Sequence, residues 1–226
     1  MYTMNCTSRS ADFEFPLPPG RFGVESYGAD CVHVVHYFQI EPGQRELNLR
    51  LDLPASTIAQ VVGRPAPELT QIKGWKNGSP VRLADLRGEV VLLDFWGYWC
   101  GPCVGSMPAL MKLHDEFKDK GLVIIAVHDD SVDSIAEMEQ KLDRVRNESW
   151  SGWKGRHLPF LIALDGGGPK RIKYSNSTCQ GATTAEYGIE AYPTTLLIGR
   201  DGNVIGEVEV RGPAAHEKVQ KAIEAK

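Results

Sequence analysis

Cys100 and Cys103, bridged by Gly101-Pro102 and preceded by Trp99, follow directly on the apolar run Val90-Val91-Leu92-Leu93-Asp94-Phe95-Trp96. Such a run reads as a buried strand, and the segment after it reads as the start of a helix. Two thiols three residues apart at a helix N-terminus can close a small disulfide ring. The first meets unpaired amide groups and the positive end of the helix dipole, so its thiolate, the nucleophilic form, is favoured near neutral pH. The pattern points to thiol–disulfide exchange, with Cys100 attacking and the more shielded Cys103 resolving. The same spacing serves zinc, but a structural zinc site needs about four ligands. Cys6, Cys31 and Cys179 stand singly and the six histidines show no paired spacing, so no metal is expected. A purely structural disulfide is the bland alternative. A ring closed over Gly-Pro joins no distant segments, which argues against it.

Asp94 interrupts an apolar strand, where an ionised carboxylate without a partner is costly. Burial should raise its pKa and suit it to accept the proton of Cys103. The competing reading has Asp94 facing solvent or capping a loop. Cys179 invites a third redox role, although single cysteines are more often inert. Trp150 and Trp153 flank an insertion for which packing is favoured over a role in specificity.

The elements that must position these residues are legible around them. The strand over 89–96 leads into an amphipathic helix from about Cys103 to Asp119, closed by Gly121. Leu122 to Val127 reads as a second buried strand, and Ser131 as the cap of a helix from about Val132 to Arg146. Continuous apolar strands joined by a helix should lie parallel and adjacent. Pro159 to Leu164 is a further strand-length run, Gly166 to Pro169 a turn, and Thr194–Ile198 with Asn203–Val210 a hairpin closed by Asp201-Gly202. A last helix carries Val219 and Ile223. Upstream, residues 12–53 read as β structure: Phe13 and Phe15 in one strand, Arg21 to Tyr27 in another, and 31–40 in a third. Leucines at 47, 49, 51 and 53 alternate with polar residues in the fourth, the period of a strand with one wet face.

The chain has 226 residues and a net charge of −4 with both signs interspersed, which gives no basic face for nucleic acid. Its longest apolar stretches are strand-length, short of the ~20 residues of a membrane span. The expected organisation is a β-rich segment over 1–56, a linker over 57–64 and an α/β domain over 65–226. The first residues lack the basic and apolar regions of a signal peptide.

From about Pro65 onward the chain resembles the thioredoxin-fold domains of TlpA/ResA-like thiol-disulfide oxidoreductases. The resemblance rests on Asp94-Phe95-Trp96, on Trp99-Cys100-Gly101-Pro102-Cys103, on Pro108 five residues further, and on Tyr192-Pro193-Thr194 before the hairpin. It implies a central mixed sheet flanked by helices, and protein or peptide dithiols and disulfides as substrates. It also implies an upstream thiol reductant, membrane-bound or soluble, and no metal or organic cofactor. Pro193 matches the family's cis-proline, beside which the backbone of Tyr192 would pair with an extended substrate, with Trp99 in the surrounding aromatic rim. The chain departs from its relatives at Ser106, where many carry glutamate, and at Ile124 to Val127, where thioredoxins carry a lysine. Proton handling then falls to Asp94 alone. Gly-Pro between the cysteines matches thioredoxin and favours the reducing direction. The family is exported to the periplasm or cell envelope, while cysteine usage leaves the cytoplasm open. Residues 1–56 resemble part of a carboxypeptidase-regulatory-like or Ig-like β domain. Two rival functions remain. A thiol peroxidase would want Thr or Ser where Gly97 stands, and a non-catalytic binding module would not need an intact dithiol.

Overall fold

The computed structural model describes residues 14, 16–26, 31, 34–173, 175 and 177–225. In chain order these form β1 (Gly20–Ser26), β2 (Val34–Ile40), α1 (Thr57–Val61), β3 (Gly74–Lys76), β4 (Val90–Trp96), α2 (Gly101–Phe117), β5 (Leu122–His128) and α3 (Ile135–Arg146). There follow β6 (Leu161–Leu164), β7 (Pro169–Arg171), β8 (Thr178–Gln180), α4 (Ala182–Tyr187), β9 (Thr194–Ile198), β10 (Val204–Glu207) and α5 (Ala215–Glu224). A six-stranded mixed sheet in the order β10-β9-β4-β5-β6-β3 carries the site. As expected, β4 and β5 are parallel neighbours, from Val90 opposite Leu122 to Trp96 opposite His128. β6 continues the parallel set beside β5, and β9 runs antiparallel on the other side of β4.

Helices cover both faces, which is why β4 is buried along its whole length. Val90, Leu92 and Trp96 pack with α2, α3 and α5, while Val91, Leu93 and Phe95 pack with Tyr187 of α4 and with Ile58 and Val61 of α1. Asp94 shares the parity of Leu92 and Trp96, so its side chain lies on the α2 face.

Several upstream expectations need correction. Glu46–Leu53 is not a strand: its alternating leucines find no partner ladder, and Leu47, Leu49 and Leu53 are exposed. Alternation describes a surface that could pair, and without a second edge among the described residues the exposed backbone forms no ladder. Among the described residues, the N-terminal β structure is the antiparallel pair β1–β2; the strand read around Phe13 and Phe15 falls largely outside them. Residues 57–64, expected to be a linker, begin with a helix. Ser56 Oγ accepts from Ala59 N at 3.0 Å, and Thr57 Oγ1 donates to the Lys173 carbonyl at 2.9 Å, which ties α1 into the fold. The cap of α3 is Ser134 rather than Ser131, with its hydroxyl accepting from Glu137 N.

The polar stretch with the two tryptophans has a structural task. Pro108 lies inside α2, and its missing N–H leaves the Val104 carbonyl without its helical donor. The indole Nε1 of Trp153 donates to that carbonyl at 2.9 Å, and Trp153 is buried, whereas Trp150 is exposed. Gly152 (φ +72°) packs so closely that a Cβ would lie 3.2 Å from Pro108 Cγ. Trp153→Phe keeps most of the apolar volume but strands a buried carbonyl. Urea denaturation should show a loss of about 1–3 kcal/mol, and a loss below about 0.5 kcal/mol would show the carbonyl to be satisfied otherwise.

Candidate active site

α2 begins where the chain leaves β4 through Gly97, Tyr98 and Trp99. Cys100 is its N-cap: Sγ accepts from Cys103 N at 3.2 Å, an interaction that stabilises a thiolate more than a thiol. Pro102 occupies the first turn, where an N–H would have no helical acceptor. Cys100 and Cys103 form a disulfide with Cα atoms 5.2 Å apart, so the structure is that of the oxidised form. Cys100 retains 5% exposure and Cys103 none, an asymmetry in the sense expected from their positions.

Asp94 is fully buried, not solvent-facing. Its Oδ1 accepts from Thr195 Oγ1 at 2.6 Å across the β4–β9 ladder, and its Oδ2 has no partner among the described residues. Burial, only partly offset by that hydrogen bond, pushes its pKa from 3.8 up to about 7. On β5 its register partner is Ala126, which brings no compensating cation. Ser106 is buried on α2, and its hydroxyl donates to the Cys103 carbonyl at 2.7 Å, so it serves the helix turn that holds the second cysteine.

Tyr192 and Pro193 are joined by a cis peptide bond in the turn before β9. Tyr192 meets the Trp99 ring edge-on at 5.6 Å, which brings this turn against the dithiol loop. Trp99 is 52% exposed, the large apolar surface nearest the sulfurs, whereas Trp96 is buried. Cys179 lies on β8, buried, with Sγ 3.8 Å from the Gly181 carbonyl. Burial pushes its thiol up to about 11, which leaves little thiolate at neutral pH.

Two residues missed in the sequence belong to this region. His128 and Asp129, at the end of β5, are buried and bond to the loop before Cys100. Their position was available in principle, because aligning the two apolar strands from their starts places His128 beside Trp96. No group of three or more potential metal ligands occurs among the described residues.

A sequence model of the Redoxin family matches residues 61–223. The chain is 31% identical over 163 residues to the thiol-disulfide oxidoreductase ResA of Bacillus thuringiensis subsp. konkukian, covering 71% of this chain and 75% of the relative. It is 32% identical over 161 residues to the thioredoxin-like protein YneN of Bacillus subtilis, covering 70% and 77%. A crystal structure described as a thiol:disulfide interchange protein DsbE from Chlorobium tepidum aligns with a TM-score of 0.50 at 28% identity, over 72% of this chain and 95% of that one.

Proposed function

The chain belongs to the Redoxin family, within its ResA-like thiol-disulfide oxidoreductases, and from that membership we propose that it reduces disulfides in protein substrates through Cys100 and Cys103. The observation that carries this reading is the dithiol ring at the N-terminus of α2, with the Cys103 amide aimed at Cys100 Sγ.

In the reduced enzyme the Cys100 thiolate attacks one sulfur of the substrate disulfide. That S–S bond breaks, one substrate thiolate leaves and takes a proton, and a mixed disulfide joins Cys100 to the other sulfur. Asp94, ionised, takes the proton of Cys103, and the Cys103 thiolate attacks Cys100 Sγ. The second substrate sulfur departs as a thiolate and takes up a proton, from Asp94 or from water, as the Cys100–Cys103 disulfide closes. Two electrons have passed from enzyme to substrate, and an upstream dithiol, membrane-bound or soluble, must return them. Tyr192 and Pro193 offer the substrate backbone an edge, and Trp99 offers it an apolar platform. The catalytic unit is assigned to 65–226 and the β-rich part to 1–56. The relatives and the need for an external reductant favour a site outside the cytoplasm, in the periplasm or cell envelope.

The reducing direction rests on the Gly-Pro bridge. Equilibration against glutathione buffers, followed by tryptophan fluorescence, should give a potential well below about −200 mV, near the −270 mV of thioredoxin. A value near −120 mV, that of strong oxidants, would reverse the direction. Absence of any reversible transition would end the exchange reading.

A further inference from the structure

Three of the four residues before Cys100 are fastened to His128, the last residue of β5, and to Asp129, which follows it. Asp129 N–H donates to the Trp96 carbonyl at 3.0 Å, and Tyr98 N–H donates to His128 Nε2 at 3.0 Å. The Trp99 indole donates to Asp129 Oδ2 at 3.0 Å, while Ser131 Oγ occupies Oδ1. Because Nε2 of His128 accepts, its proton sits on Nδ1, which donates to the Asp129 carbonyl at 2.8 Å. The ring is held between the edge contact with Trp96 (4.9 Å) and a parallel stack on Tyr98 (5.8 Å). Burial lowers its pKa and keeps it neutral, the form these bonds require. The imidazole thus links the two strands of contact, one to the loop backbone and one to the residue that grips Trp99.

This arrangement addresses a specific difficulty. Trp99 is half exposed, and such a side chain ordinarily samples several rotamers, each an ordering cost at binding. Here the indole is folded back over Gly97, where a Cβ would lie 2.6 Å from Trp99 Nε1, and is anchored on a buried carboxylate. We propose that His128 and Asp129 are positioning residues for disulfide exchange, holding the Gly97–Trp99 loop so that the Trp99 platform and the Cys100 sulfur are presented together to the substrate chain. The inference rests on Cys100 being the attacking thiol.

Two substitutions separate the ring from its hydrogen bonds. His128→Phe keeps an aromatic between Trp96 and Tyr98 but removes both bonds, whereas His128→Gln retains one acceptor and one donor. The readouts are solvent exchange of the Tyr98 amide and Trp99 indole protons by NMR, and dithiothreitol-driven reduction of insulin. His128→Phe should speed both exchanges by roughly tenfold or more and lower kcat/KM roughly tenfold, mostly through KM. His128→Gln should return kcat/KM to within about threefold of wild type. Asp129→Ala should raise KM and speed exchange of the Trp99 indole. Wild-type kcat/KM in the Phe variant, or no recovery in the Gln variant, would overturn the proposal. Should the Phe variant fail to fold, an unchanged KM in Asp129→Ala overturns it equally. If the wild-type protein left insulin intact, the exchange reaction itself would be refuted, whereas the proton-exchange data would still judge the clamp.

Discussion

Cys100→Ser will reduce insulin disulfides at the uncatalysed rate, a loss of at least about a thousandfold, while Cys103→Ser will accumulate a covalent adduct with the substrate. The two cysteines differ in access and in what they face. Cys100 keeps a little exposure and receives the Cys103 amide, whereas Cys103 is fully enclosed under α2. Cys100 is therefore the sulfur expected to reach a disulfide on another chain, and its serine variant would lack that nucleophile. In Cys103→Ser the first step still proceeds, but nothing in the enzyme displaces Cys100 from the mixed disulfide, so release waits on an outside thiol. Mass spectrometry under non-reducing conditions should find the adduct in Cys103→Ser alone. An adduct in Cys100→Ser and none in Cys103→Ser would exchange the two roles.

The parts of this fold legible in the sequence were those in which burial repeats on a recognisable period. β4 and β5 are buried almost throughout, and a strand covered on both faces shows as an unbroken apolar run whatever its neighbours are. Glu46–Leu53 shows the opposite case. Its alternation is as regular as any in the chain, yet pairing is a property of two segments, and among the described residues no second edge meets it. The helix α1 escaped notice because five residues with Ile58 and Val61 inward make no period; its anchor, the Thr57 hydroxyl on the Lys173 carbonyl, joins residues 116 apart in sequence.

The site divides in the same way. Cys100, Cys103 and Asp94 stand close together along the chain, and their chemistry is written in their types and spacing. His128 and Asp129 follow the apolar run with nothing local to mark them, since their partners, Tyr98 and Trp99, lie some thirty residues away. Packing was the favoured reading for Trp153 and its burial agrees, but its hydrogen bond was not legible, because the carbonyl it satisfies is orphaned by a proline in another element. In each case the missing information was a long-range hydrogen bond, which composition and periodicity do not carry.

Asp94→Asn should stabilise the oxidised protein above neutral pH and slow the exchange reaction. In the folded state this carboxyl titrates near 7, against 3.8 for the free side chain. Below about pH 3 it is protonated in folded and unfolded chains alike and contributes no difference. Between about 4 and 7 the folded chain holds a proton that the unfolded chain has released, so wild-type stability falls as pH rises through this window. Above 7 the penalty is complete, on the order of 4 kcal/mol for a shift of this size. Asparagine has the same shape and cannot ionise. It should therefore gain about 2–4 kcal/mol over wild type in urea denaturation at pH 8, and little at about pH 3, where the carboxyl is largely neutral in both states. The same substitution removes the group proposed to accept the Cys103 proton, and stopped-flow measurement of the resolving step should show a loss of roughly 10²-fold. A stability difference that did not change with pH would mean that Asp94 titrates normally. A resolving step at full rate would mean that another base serves Cys103. A pH-dependent gain in stability together with a slowed resolving step would identify a buried carboxyl retained at the expense of stability for the second half of the exchange.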